Sequence, residues 1–201
     1  MRNSSSLRHW KKAPAACRAK AAAAAVGAFV AVIAPAALAQ LYKTEIRDDP
    51  FRPHVQYESE SHSVNVDPDT TRIFVLVGIV DRKTAERKYL VQWSAIYRDR
   101  SWRRFSGAAL EGGEMMEFLV RSRDVSSCVA AFRTCLYDEF AYIYLSEAQM
   151  RRGAKEGITF KVFSQGGSKD IVSTIPAGMI ASLLDTMPPV PAPPRSRRKT
   201  K

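Results

Sequence analysis

Between residues 71 and 175 the chain reads as short stretches in which apolar residues run together or alternate with polar ones, separated by turn-forming residues. Residues 71–80 (TRIFVLVGIV) are almost continuously apolar and β-branched, the pattern of a central strand covered on both faces. Residues 88–97 alternate, with Tyr89, Val91, Trp93, Ala95 and Tyr97 on one side. The charged stretch 81–87 between them suits a hairpin loop. Residues 97–101 (YRDRS) read as a turn and 102–110 as a further strand or irregular edge, closed by Gly112 and Gly113. Residues 115–123 alternate again through Met116, Phe118 and Val120. Residues 138–145 (DEFAYIYL) place Phe140, Tyr142 and Tyr144 on one face and Ala141, Ile143 and Leu145 on the other, which predicts an interior strand.

The pattern then changes period. Ser146 and Gln149 have the spacing of a capping box, so a short helix is expected to run to about residue 154 and to end at Gly157. Its apolar face is only Met150 and Ala154, which places it on the surface. Residues 158–164 and 170–175, joined by Gln165-Gly166-Gly167-Ser168, form a hairpin. Pro176 opens a helix over 177–187, with Met179, Ile180, Leu183, Leu184 and Met187 on one stripe. The strands are neighbours in sequence and no long βαβ crossover is evident. The fold expected is mainly β: a single antiparallel β-sandwich-like domain over 71–187, with one or two short helices near the C-terminus. Residues 40–70, polar and carrying Pro50, Pro53 and Pro68, read as an N-terminal arm with at most a short strand near 55–57.

Charge changes the picture at both ends. The chain has 201 residues, is 46% hydrophobic, and carries a net charge of +11. That apolar content excludes a disordered protein. Residues 40–187 hold 20 basic and 20 acidic side chains, so the excess belongs to residues 1–39 and 188–201, and nucleic-acid binding by the folded part is not expected. The first 39 residues read as a secretory signal peptide: a basic stretch ending at Lys20, an Ala-rich run over 21–34, and Ala37-Leu38-Ala39 before a cleavage point that leaves Gln40 first. An uncleaved anchor is the competing reading. No later apolar run is long enough to span a bilayer, so no transmembrane span is expected after cleavage. The end, 188–201, is rich in proline and then cationic through Arg195, Arg197, Arg198, Lys199 and Lys201, an extended basic tail suited to anionic surfaces.

Export brings oxidation. Cys128 and Cys135 are the two cysteines beyond the leader, and an even pair in an exported chain is most simply one local disulfide. A redox pair would favour C-x-x-C, and a zinc site would need further ligands. Through this C-x6-C pair, the strand after it and the closing strand and helix, the second half resembles small periplasmic proteins of the invasion-associated locus B type. No site or activity is taken from that likeness.

Candidate chemistry is sparse. The sequence holds no GxSxG, HExxH, Walker loop or dinucleotide fingerprint. His54 and His62, with Glu58, Glu60, Asp67 and Asp69, match no rigid ligand spacing, and neither a metal nor a cofactor is expected. Asp138 and Glu139 are strand neighbours that should point to opposite faces, and they read as solvent-facing charge or strand-end hydrogen-bonding groups. Residues 93–105 (WSAIYRDRSWRRF) are the candidate binding segment, since Trp93, Tyr97 and Trp102 are interleaved with Arg98, Arg100, Arg103 and Arg104. Aromatic faces stack on rings and guanidinium forks grip phosphate or carboxylate. Cross-strand packing of the aromatics is the competing reading. The function expected is a non-enzymatic protein of the bacterial envelope, periplasmic or secreted, whose partner is an envelope protein or an anionic polymer or lipid. The alternative is a specific protein-recognition module built on 93–105; a cell-wall-polymer enzyme ranks below both.

Overall fold

The computed structural model describes residues 42–167 and 169–189. In chain order the elements are β1 (Thr44–Arg47), β2 (His54–Ser59), β3 (His62–Asp67), β4 (Thr70–Asp81), β5 (Arg87–Asp99), β6 (Gly107–Leu110), β7 (Met115–Met116), β8 (Phe118–Val129), β9 (Thr134–Leu145), α1 (Glu147–Glu156), β10 (Ile158–Phe163), β11 (Ile171–Ile175) and α2 (Ala177–Thr186). Seven strands form one sheet in the order β1-β2-β4-β5-β9-β8, with β3 also paired to β4. The smaller sheet runs β11-β10-β6-β7. Every pairing is antiparallel. The expected β-rich domain with two short late helices is what the chain forms.

Parity builds the core. Phe74 and Leu76 on β4, Val91, Trp93, Ala95 and Tyr97 on β5, and Ala141 and Ile143 on β9 all face inward and are buried. They meet Ala108, Phe160, Val162, Ile171 and Ile175 of the smaller sheet in one apolar cluster. The helices close one end of it. Met179, Ile180, Leu183 and Met187 of the predicted stripe are buried, and Pro176 is the N-cap of α2, one residue before its first turn.

Three expectations change. The segment 40–70 is no arm: β1 pairs with β2, and β2 and β3 each pair with β4. Pro50, Pro53 and Pro68 lie in the turns between these strands. Edge strands are solvated on one side and can carry polar residues, so the low apolar content did not mark an absence of sheet. Second, β4 is buried along its inner face, but on the outer one only Val77 is buried, while Ile73, Val75 and Ile79 stay half-buried. The same holds for Phe140, Tyr142 and Tyr144 of β9, which is interior in strand order yet covered on one face. Third, α1 has the predicted capping box at Ser146 and Gln149 and lies at the surface, but it is anchored more firmly than its thin apolar face suggests. Met150 is fully buried. A Cβ at Gly153 would lie 2.4 Å from Ile158 Cγ1 and 2.9 Å from Ile180 Cδ1, so glycine is what lets α1 approach β10 and α2.

Candidate functional site

The candidate segment is divided by the pleat of β5. Odd-numbered residues point inward, so Trp93 and Tyr97 belong to the core. Trp93 meets Phe105 edge-on at 5.0 Å between ring centroids, and Tyr97 stacks on Tyr137 at 5.4 Å. Trp102 is half-buried and tilts onto Tyr137 at 4.5 Å. Arg103 is only 6% exposed. Its guanidinium carbon lies 4.3 Å from the Tyr97 ring centroid, and its Nε donates to Asp99 Oδ2 at 3.3 Å. Four of the seven candidate residues are therefore engaged in packing. Arg98, Arg100 and Arg104 remain exposed, and none of them forms an ion pair among the described residues.

What holds this loop is Glu139, which is 2% exposed. Its Oε1 accepts from the Tyr97 hydroxyl and, at 2.9 Å, from the Arg104 N–H. Its Oε2 accepts from the Phe105 N–H at 3.0 Å and from Arg123 Nε at 2.9 Å. Arg123 Nη2 also donates to the Phe105 carbonyl at 2.9 Å, and the Arg103 N–H donates to the Tyr97 hydroxyl at 2.8 Å. Burial, and then the bond to Glu139, pushes the Tyr97 phenol well above its ordinary value. Two successive N–H groups reach one carboxylate because Arg104 sits at φ 51°, in the left-handed region. That conformation costs a non-glycine residue about 1–2 kcal/mol, which the four donors on Glu139 offset. Both oxygens are committed, so this carboxylate acts as a fastener rather than as an available base. The expectation that Asp138 and Glu139 diverge holds: Asp138 faces out and accepts from Ser94 Oγ at 2.7 Å. The solvent-facing reading fails for Glu139. Its parity was visible, because it continues the row of Ala141, Ile143 and Leu145.

The β8–β9 hairpin was not among the sequence candidates beyond its cysteines. Cys128 and Cys135 are bonded and lie directly opposite one another in register. Cys135 is also the last residue of this end of β9 that pairs with β5, through Asp99. Beyond that row the hairpin has no second neighbour, and it turns through a 3-10 turn, Ala130–Phe132, none of which is buried. Phe132 is 71% exposed. Arg133 follows, exposed and at φ 51°. Thr134, Arg98, Arg100, Lys169, Asp67 and Asp69 rim a depression of about 430 Å³ beside the hairpin base.

The histidines do not converge. His62 stacks on Phe74 at 4.9 Å, and burial together with the Arg72 charge lowers its pKa from the ordinary 6.5. Among the described residues no group of three or more His, Cys, Asp or Glu side chains is placed to hold a metal ion. The leader 1–39 and the basic tail residues Arg195, Arg197, Arg198, Lys199 and Lys201 lie outside the described residues. No helix among those described is long and apolar enough to cross a membrane. No family model, curated protein or solved structure matches this chain.

Proposed function

We propose that this chain is an exported binding protein of the bacterial envelope that engages an anionic surface or partner through the end of the sheet carrying Arg98, Arg100, Arg104 and Arg133. The observation that carries the reading is the division of residues 93–105: the aromatics and Arg103 go into packing, while the other arginines have no ion-pair partner among the described residues and face water beside a stapled hairpin. Guanidinium groups in that state form forked hydrogen bonds with phosphate or carboxylate. The leader pattern of residues 1–39 and the Cys128–Cys135 bond support an oxidising compartment. The basic tail would add non-specific attraction that weakens as salt rises. Binding rather than catalysis is favoured because both oxygens of Glu139 are committed to Tyr97, Arg123 and the loop backbone. The test is sedimentation with envelope fractions over a salt series. Arg98→Ala with Arg100→Ala and Arg133→Ala should lower retention and flatten its salt dependence. Retention equal to that of the wild type would overturn the reading.

A second reading, a protein-recognition module, is favoured by the half-exposed Phe140, Tyr142 and Tyr144 on the outer face of the larger sheet. It predicts that Tyr142→Ser abolishes capture of one defined envelope protein without changing the melting temperature. Unchanged capture would exclude it.

A further inference from the structure

We propose that the tip of the β8–β9 hairpin is a lipid-inserting finger: Phe132, with Ala130 and Ala131, enters the interface of an anionic bilayer while Arg133, Arg98 and Arg100 bind the headgroup phosphates. The inference rests on the anionic-surface reading and names the surface. Isolated exposed apolar residues are ordinary in soluble proteins, and Phe132 alone would mean little. Its placement is what matters. The turn projects beyond the last β5 pairing, and none of its residues is buried. A projecting apolar tip suits a deformable apolar medium better than a rigid pocket. At its tightest point the turn is internally bonded, with the Arg133 N–H donating to the Ala130 carbonyl at 3.2 Å. That leaves one polar group fewer to strip of water on entry.

Cations flank the tip. Arg98, Arg100, Arg104, Arg133 and Lys169 lie at this end of the molecule with no ion-pair partner among the described residues. Asp67, Asp69, Asp124, Asp138 and Asp170 oppose them, and Asp99 is taken by Arg103. The numbers balance over this end as a whole, and the cations that matter are those flanking the tip: Arg133, which follows Phe132, and Arg98 and Arg100, which rim the depression with Thr134. An apolar anchor with a basic collar is the two-signal arrangement that makes weak interfacial binding durable, with each cation near an anionic leaflet adding roughly fivefold to affinity. The Cys128–Cys135 bond sits where β9 loses its second neighbour, so the finger is held in shape before it meets lipid.

The test uses the oxidised chain purified from a periplasmic expression host. It compares vesicles of phosphatidylglycerol and phosphatidylethanolamine with vesicles of phosphatidylcholine. Phe132→Ser should bind the anionic vesicles about tenfold more weakly with an unchanged melting temperature, since burying such a ring contributes on the order of one decade or more. Phe132→Trp should add fluorescence that bromolipids quench. The Arg98→Ala, Arg100→Ala and Arg133→Ala combination should remove the preference for anionic vesicles. If Phe132→Ser binds as well as the wild type and Phe132→Trp adds no quenchable signal, insertion is overturned. If the arginine variant still loses binding in that case, the broader anionic-surface reading survives alone. If neither set changes anything, both readings fall. Loss of a protein partner in Phe132→Ser, with vesicles ignored by every form, would assign the finger to a protein pocket and overturn the lipid proposal.

Discussion

Two neighbouring segments, the loop at 98–105 and the hairpin tip at 129–134, show how poorly composition alone separates a binding surface from packing. The loop is rich in the residues that recognise ligands, yet Trp102, Arg103 and Phe105 are used to close the end of the core. The hairpin tip is Ala-Ala-Phe between ordinary residues, yet it is the part that leaves an aromatic ring in water. The difference lies in support. The loop lies against Tyr97, Tyr137 and Glu139, which supply both apolar contact and hydrogen-bond acceptors. The tip has passed the last row of β5 and has only its own staple. A residue's chemistry becomes available when the structure has no other use for it.

The contrast breaks most readily at Glu139. Glu139→Ala leaves Arg123 and two buried N–H groups without an acceptor, and a loss of about 3–5 kcal/mol in urea unfolding is expected. A loss below about 1 kcal/mol, ordinary for any substitution, would mean that the loop is held by its aromatics instead. Next in size is the staple. Cys128→Ser with Cys135→Ser should cost about 2 kcal/mol in the chain-closure account and should raise amide exchange in 129–134 selectively. Uniform exchange along β8 and β9 would show that the hairpin does not depend on it. Trp102→Ala should cost about 1 kcal/mol from its contact with Tyr137, read as a shift in the urea midpoint. The smallest effect is at Arg100→Ala, where the melting curve should stay within about 0.5 kcal/mol of the wild type. A larger drop would place Arg100 with the packed residues.

His62, on β3, gives a pH test of burial. His62 titrates below its ordinary 6.5 because burial and the Arg72 charge disfavour the imidazolium. The unfolded chain therefore takes up that proton first as pH falls, so this contribution is complete above pH 6.5 and declines as pH drops below it. The urea midpoint of His62→Gln should change less between pH 7.5 and the mildly acidic range around pH 5 than that of the wild type, by roughly the amount one such group can shift it. Equal slopes would show that His62 is wet.

Much of the fold was legible because alternation is a local signal. The inward row of β5, the capping box of α1 and the apolar stripe of α2 follow from residue spacing alone. What was not legible depends on neighbours distant in sequence. Strands β2 and β3 carry polar residues because β4 supplies the apolar side of the pairing. Gly153 looks like a weak point in a helix until Ile158 and Ile180 are brought against it. At the candidate site, the sequence showed which residues were basic and aromatic, but their division between core and water required knowing where β9 runs. The exposure of Phe132 required knowing where β5 stops.

The span of the Glu139 fastening has a consequence for biogenesis. Tyr97 and Glu139 stand 42 positions apart, so the acceptor that fastens the loop is synthesised well after the loop itself. A nascent chain, made N-terminus first, would form β4 and β5 with the arginine loop still open, and would lock it only when β9 arrives. A polypeptide halted before that point would leave the loop unlatched and open to proteases.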